Sequence, residues 1–438
     1  MPGRSPHDRE ILRVALPALG ALAAEPLYIL VDTAIVGHLG TPQLAALALA
    51  GTLLTGAFTI FNFLTYGTTA QVARFHGAGE EAAAGRIAAQ ALWLSAGIGL
   101  ILLGGALALA VPAVHAMGGS GRMGDYAVTY LRIGAIGLPF ALIALAGQGY
   151  LRGTSDLRTP LVVVAASNLV NVVLEVWFVY GLDWGIAGSA WGTVIAQAGM
   201  GGTFAWLLLR GPADRRAPDL DAMRPLLRIG GEIFVRTTSL YASFIVAGAV
   251  LARVGPASLG AHQVAIQLWT FLALVLDSVA IAGQVIVGRM LGAGDAEGAF
   301  EAAWRMIGWS VALGALFGGV MLALIDVLPR VFTSDPDVLD RTHAVWPLFA
   351  LMQPANGAVF ALDGILIGAG DTRFLMWSML ASAIGVFVPV TLAALHFDWG
   401  IVGVWAGLAG LIGARLVTCG TRFVRGRWAV TGAPAMTG

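Results

Sequence analysis

The sequence contains no lysine: all 25 basic residues among its 438 are arginine. A phosphate-binding Walker loop needs a lysine, so direct ATP drive within this chain is excluded. A single cysteine, Cys419, rules out an internal disulfide and any cysteine-based metal cluster, and its late apolar setting reads as a packing position. Charge of either sign is scarce. Asp, Glu and Arg make up 11% of the chain, against about 25% in an ordinary soluble domain. Too few charges remain to cover a globular surface, so lipid is the expected solvent for much of it. The 25 acidic residues cancel the arginines, which are spread over short loops, so no nucleic-acid-binding patch is indicated. No secretory signal peptide is expected, because Met1–Glu10 is polar and the first apolar segment is long and continuous with the rest.

Apolar residues are abundant instead, at 58% of the chain. Runs of about 20 apolar residues recur throughout, each long enough to cross a bilayer; Ala89–Val114 carries no charge at all. Twelve spans are predicted, over roughly 11–36, 44–74, 86–114, 124–151, 157–181, 185–210, 222–252, 259–290, 297–328, 338–367, 372–396 and 400–424. Gly and Pro punctuate the loops, as at Gly77-Ala78-Gly79, Gly211-Pro212 and Asp335-Pro336. Fifteen arginines fall on one side of this topology and four (Arg122, Arg253, Arg330, Arg341) on the other. The positive-inside rule then places both termini in the cytoplasm, in a cell or inner membrane.

The chain also repeats itself. Shifted by 215 residues, Arg13 falls on Arg228, Gly40 on Gly255, Gly77-Ala78-Gly79 on Gly292-Ala293-Gly294, and Pro139 on Pro354. Asp156 likewise falls on Asp371, Arg158 on Arg373, and Asp183-Trp184-Gly185-Ile186 on Asp398-Trp399-Gly400-Ile401. Each half has an even number of spans, so the repeats run parallel, related by a pseudo-twofold axis along the membrane normal. The expected fold is thus an all-α polytopic membrane protein of two six-helix lobes. Residues 1–210 form the first, 222–438 the second, and 211–221 the cytoplasmic linker. A cleft between such lobes could open to either side, the basis of alternating access.

Ionisable side chains within a span cost about 2.5–3.5 kcal/mol each and mark function or a pairing network. On the first helix Glu25, Tyr28 and Asp32 fall on one face; on the fifth, Asn168, Asn171 and Glu175 have the same spacing. Thr193 is a hydroxyl within the sixth. Glu175 lies six residues before Gly181, Thr193 eight after Gly185, and Asp32 five before Gly37. All three are therefore about 8–12 Å from the outer helix ends. Two carboxylates with neutral oxygens suit a hard cation or a proton, and the two would titrate as a coupled unit. The alternative is a structural hydrogen-bond network. Tyr28 serves the site or helix packing, Glu25 a cavity or second layer, and Gln148 lines a cavity nearer the cytoplasm. Pro17 and Pro26 interrupt the first helix, and Pro26, six residues before Asp32, makes either a static kink or a bend coupled to Asp32 protonation. Position 32 maps onto Ala247 and Glu175 onto Val390, so the cation site belongs to one lobe. The second half carries Glu232, Arg236, Asp277 and Asp363 within its spans, readable as a structural charge network or as substrate-binding groups.

At these residues the sequence resembles the multidrug and toxic compound extrusion (MATE) family, in its DNA-damage-inducible-F-like branch. The resemblance rests on Val31-Asp32-Thr33-Ala34-Ile35-Val36-Gly37-His38-Leu39-Gly40 and Leu151-Arg152-Gly153-Thr154-Ser155-Asp156. It also rests on Asn168–Glu175, Gly185-Ile186-Ala187-Gly188-Ser189-Ala190 and Ala261-His262-Gln263-Val264-Ala265. It implies efflux of amphipathic, often cationic compounds in exchange for H⁺ or Na⁺; no cofactor beyond that ion is expected, and the chain is expected to act as a monomer embedded in lipid. By position it implies a cation site, able to hold Na⁺, at Asp32, Asn171, Glu175 and Thr193, with Tyr28 and Gln148 nearby. Relatives carry Asp where this chain has Glu175, and the added methylene alters geometry or ion preference. A second cation site known in another branch is in doubt, since Asn356 stands at its tenth-helix position. His38 and His262 read as packing or capping residues.

The expected function is a secondary efflux antiporter; the alternative is a flippase or exporter of a lipid-linked or other non-drug metabolite. That alternative calls for a cationic cavity, and Arg236 is the arginine placed clearly mid-span. A membrane enzyme is disfavoured by the lack of a His-rich metal motif or a Ser-His pair within the spans.

Overall fold

The computed structural model describes residues 6–433, apart from the side chains of Pro6, Glu25 and residues 57–60. Regular structure among them is helical. The first half comprises α1 (Pro6–Gly37), α2 (Thr41–Ile60), α3 (Phe63–Gly77), α4 (Glu81–Ala116), α5 (Gly121–Ala135), α6 (Leu138–Gly153), α7 (Arg158–Val176) and α8 (Gly185–Arg210). The second comprises α9 (Leu220–Val254), α10 (Pro256–Gly292), α11 (Ala296–Ala323), the short α12 (Leu328–Phe332), α13 (Pro336–Leu351), α14 (Gln353–Gly368), α15 (Thr372–Ser382), α16 (Val388–His396) and α17 (Gly400–Val424). Wider π-turns continue α7 through Trp177–Gly181 and join α15 to α16 through Ala383–Phe387.

Nine helical stretches among the described residues are long and apolar enough to cross a bilayer. Two bent pairs, α5 with α6 and α13 with α14, raise the number to eleven. The region of the remaining expected span, 44–74, is occupied by α2 and α3, broken at Phe61-Asn62. Side chains such as Ile101, Leu169 and Ile245 are 75%, 66% and 71% exposed. An outward face this apolar suits lipid and would aggregate in water. Arg210 lies over the Trp206 ring at 3.8 Å, an amphipathic pair of the kind found at membrane interfaces.

The sequence repeat is reproduced in the backbone. The bent pairs begin at Gly121 and Pro336 and end at Gly153 and Gly368, each 215 residues apart, with bends of 46° and 50°. Each break falls just before a proline at the second helical position, Pro139 or Pro354, where a missing N–H costs least. Asp183 and Asp398 both take φ 55°, followed by left-handed Gly185 and Gly400. These turns end one span and start the next in each half, and the short Asp side chain tolerates that conformation.

The contacts divide the chain into two compact units, and the division does not follow the sequence halves. One unit is Gly20–Gly230 with Ala433; the other joins the described residues up to Leu19 to Gly231–Gly432. Charge explains the first exchange. Asp8 accepts both Nε and a terminal nitrogen of Arg305, at 2.7 and 2.8 Å, and the indole N–H of Trp309 at 3.1 Å. Glu10 pairs with Arg289. The reciprocal exchange is apolar: Leu226 at the start of α9 joins Phe75, Ile87, Tyr150 and Phe204 in a core of the first unit. The segment expected as a linker is stitched to α4. Gln90 donates to Ala217 O at 3.0 Å and accepts from Asp219 N at 2.9 Å, and Arg86 pairs with Asp214 at 3.1 Å. In the second unit Trp346, Phe349, Phe387 and Trp405 form the centre of the core.

Candidate cation site

Three helices of the first unit bring their polar side chains together. From α1 come Tyr28 and Asp32, one turn apart; from α7 come Asn171 and Glu175; from α8 come Ser189 and Thr193. All lie in helix interiors, where the backbone satisfies itself and leaves only side chains to answer for the polarity. Close approach of α7 and α8 is allowed by glycine. A Cβ at Gly192 would lie 3.2 Å from Glu175 N, and one at Gly188 would lie 2.8 Å from the Phe178 carbonyl carbon.

The hydrogen bonds have a definite direction. Ser189 Oγ donates to Asp32 Oδ1 at 2.9 Å. Thr193 Oγ1 donates to Ser189 O at 3.2 Å and accepts from Asn171 Nδ2 at 3.2 Å. With its one proton so used, Thr193 must be the acceptor of the Tyr28 hydroxyl at 3.0 Å. Asp32 is 6% exposed, Asn171 2% and Glu175 0%. The side chains of Asp32 and Ser189 face the Glu175 carboxyl within hydrogen-bonding reach. Yet neither oxygen of Glu175 completes a hydrogen bond, and neither does Asn171 Oδ1. Three buried acceptors thus stand without a well-formed hydrogen bond beside a second carboxylate. Such a set is costly unless a proton or a cation neutralises it. Hard oxygen donors fit Na⁺ or H⁺, while no cluster of three or more His, Cys, Asp or Glu occurs among the described residues to bind a transition metal.

Two members of this constellation were missed from sequence. Ser189 sits one helical turn before Thr193, a spacing that could have revealed it. Tyr130 on α5 is 5% exposed, with its hydroxyl beside Ser189 and within electrostatic range of Asp32 and Glu175; nothing in its local sequence marks it.

The remaining expected residues fall elsewhere. Asn168 donates to Ala24 O at 3.1 Å and so ties α7 to α1. Gln148 accepts from Arg152 of its own helix at 3.2 Å. The side chain of Glu25 lies outside the described residues. In the second unit Arg236 and Arg415 both bind Asp363, one on each oxygen. Thr372 donates to Glu232 at 2.5 Å, and Asp277 is half-buried on α10. Arg415, on α17 and 2% exposed, is a second mid-span arginine that the sequence reading overlooked; the rule that singled out Arg236 applies to it equally. His38 caps its own helix through Ala34 O at 2.7 Å, and His262 packs edge-on against Trp405.

A duplicated architecture, helical among the described residues, with carboxyls buried inside its spans fits a polytopic membrane transporter. The chain belongs to the MatE family, whose model matches residues 17–177 and 233–392, one stretch in each repeat. Among relatives, Protein DETOXIFICATION 44, chloroplastic, of Arabidopsis thaliana is 31% identical over 95% of this chain and 82% of its own length. DNA damage-inducible protein F of Escherichia coli (strain K12) is 30% identical, covering 92% and 90%. Multidrug resistance protein PmpM of Pseudomonas aeruginosa is 27% identical over 94% and 90%. A crystal structure of MATE in the bent conformation shares the fold with a TM-score of 0.87 at 19% identity, over 97% and 96% of the two chains.

Proposed function

We propose that this chain is a secondary antiporter that exports amphipathic, cationic compounds by alternating access, in exchange for protons or sodium ions taken up at Asp32 and Glu175. The observation that carries this reading is the set of orphaned acceptors on Glu175 and Asn171 beside Asp32. A buried carboxyl pair of this kind has two states of different charge. An ion that binds one conformation better than the other shifts the equilibrium by that difference in affinity. The multidrug names of relatives such as PmpM support the substrate class. The protein resides in the cell or inner membrane with both termini cytoplasmic, as the arginine distribution favours, and works without a cofactor or ATP.

A second reading has one observation in its favour. Arg236 and Arg415 converge on Asp363 in the second unit, and guanidinium groups suit a lipid-linked phosphate or another anionic metabolite. Uptake of a fluorescent cationic dye into inverted proteoliposomes separates the two. Accumulation driven by an imposed proton or sodium gradient, and lost in Asp32→Asn, supports the antiporter. Folded protein that moves no dye under either gradient favours the anionic or lipid-linked solute.

A further inference from the structure

Resting on the reading of this chain as an exporter of amphipathic compounds, we propose that the second unit carries a subsite for the aromatic end of the substrate, a small recess in which the Trp405 indole N–H donates to an oxygen acceptor on the ligand. Nothing in the resemblance or the comparisons assigns a site here. Leu240 and Phe244 of α9, Trp269 of α10, and Trp405, Leu408 and Leu411 of α17 line the recess. All belong to the same unit. Leu240, Phe244 and Trp269 are half-buried and form its rim, whereas the α17 residues are buried and form its floor. It admits the edge of a ring and not a whole compound. Its rings are held in place. Phe244 meets Trp269 edge to face, with centroids 4.7 Å apart. Trp405 is held edge-on by His262 at 5.8 Å and by Phe349 at 5.6 Å. Against such walls a flat ligand ring gains apolar burial and edge-to-face contacts.

Two observations point to a ligand with both a ring and an acceptor. The first is position. Moved back by 215 residues, Leu408 falls on Thr193, Leu240 on Glu25, and Val404, next to Trp405, on Ser189. The duplicated fold thus repeats the place of the cation site with apolar side chains in the polar positions. Asp32 and Glu175 are matched by Ala247 and Val390, so this copy has lost both carboxyls and cannot take up the ion. The second observation is an unused donor. Trp405 is 1% exposed, and its indole N–H completes no hydrogen bond; Nδ1 of His262, 3% exposed, has no partner either. A buried indole N–H ordinarily finds an acceptor, and one left without is costly. The indole only donates, so the ligand supplies the oxygen. Apolar walls with few polar groups are the ordinary make-up of a small-molecule site. An aromatic compound with a carbonyl or ether oxygen meets both demands. Its charged end finds no counter-charge among the lining side chains and stays outside the recess.

Equilibrium binding to the purified full-length protein tests this without any ion gradient. Two fluorescent aromatic cations are compared by polarisation: rhodamine 6G, which carries an ester carbonyl and a ring ether oxygen, and ethidium, which has no oxygen. Trp405→Phe keeps a ring and removes the donor. It is expected to weaken rhodamine 6G about three- to tenfold, the equivalent of one hydrogen bond, and to leave ethidium within about twofold. Trp269→Leu, at the half-buried rim, keeps an apolar side chain and removes a ring. It is expected to weaken both dyes about three- to tenfold, and it carries the test should Trp405→Phe fail to fold. Equal effects on the two dyes in folded Trp405→Phe, or unchanged binding in Trp269→Leu, would overturn the proposal, as would folded wild type that binds neither dye. The antiporter reading fails separately. Binding that depends on Trp405 and Trp269, with no driven transport of either dye, refutes ion coupling and leaves the subsite standing. Driven transport with unmoved dye affinities in both variants refutes the subsite alone.

Discussion

Replacing Asp363 by Asn is expected to be among the most destabilising conservative changes in the second unit. Asp363 neutralises two guanidinium groups, one per carboxylate oxygen. Arg415 is 2% exposed, and its Nε already lacks a partner. With the carboxylate gone, its charge stays buried without compensation. Removing one partner of a buried ion pair costs about 3–5 kcal/mol. In a unit of this size each kcal/mol shifts the melting midpoint by roughly 2–4 °C, so a drop of about 6–20 °C is expected. The midpoint can be read by size-exclusion fluorescence after heating in detergent. The double variant Asp363→Asn, Arg415→Met removes the more deeply buried of the two stranded charges and fills its space with an apolar side chain. It should recover more than half the loss. A single variant as stable as wild type would refute the reasoning, as would a double variant no better than the single.

Other expectations follow from individual contacts. Gly188→Ala brings a Cβ within 2.8 Å of the Phe178 backbone, which cannot yield as a side chain can. A loss of about 1–3 kcal/mol is expected, visible as a lower melting midpoint. Gln90→Ala removes two of the hydrogen bonds that tie the segment after α8 to α4, leaving those of Arg86 and Trp93. Trypsin should then cut faster after Arg215 and Arg216, while unchanged cleavage would mean the segment is held otherwise. Asp8→Asn breaks the two-point contact with Arg305, and hydrogen exchange over 6–19 should accelerate with little change in α7 or α8.

Much of this architecture was legible before any coordinates, for physical reasons that can be named. The 215-residue register involved Gly, Pro and Asp, whose backbone demands are strict. It therefore reappears as matched left-handed turns at Asp183 and Asp398 and matched bends before Pro139 and Pro354. The one-face spacing on α1 and α7 placed Tyr28, Asp32, Asn171 and Glu175 on two helices whose neighbourhood the sequence could only suggest. What escaped were side chains with no charge to betray them. Ser189 and Tyr130 are ordinary residues in apolar helices, and only the fold shows that they face the carboxyls. The exchange of helix starts between units also escaped, because an apolar contact such as Leu226 against Phe75 carries no pattern distinct from membrane burial. Asn168 shows the opposite failure: it shares the face of Glu175 but is drawn aside by a backbone carbonyl of α1.

The central claim, that the Asp32–Glu175 pair couples an ion to a substrate, is tested most directly by running the exchange backwards. Proteoliposomes are given a gradient of a cationic dye and no ion gradient, and the ion movement is followed with a lumenal pH or sodium indicator. The account predicts a counterflow of ions driven by the dye in wild type, absent in Asp32→Asn and in Glu175→Gln although both fold. Ion movement that persists in both variants, or dye flux in wild type with no ion movement at all, would contradict it.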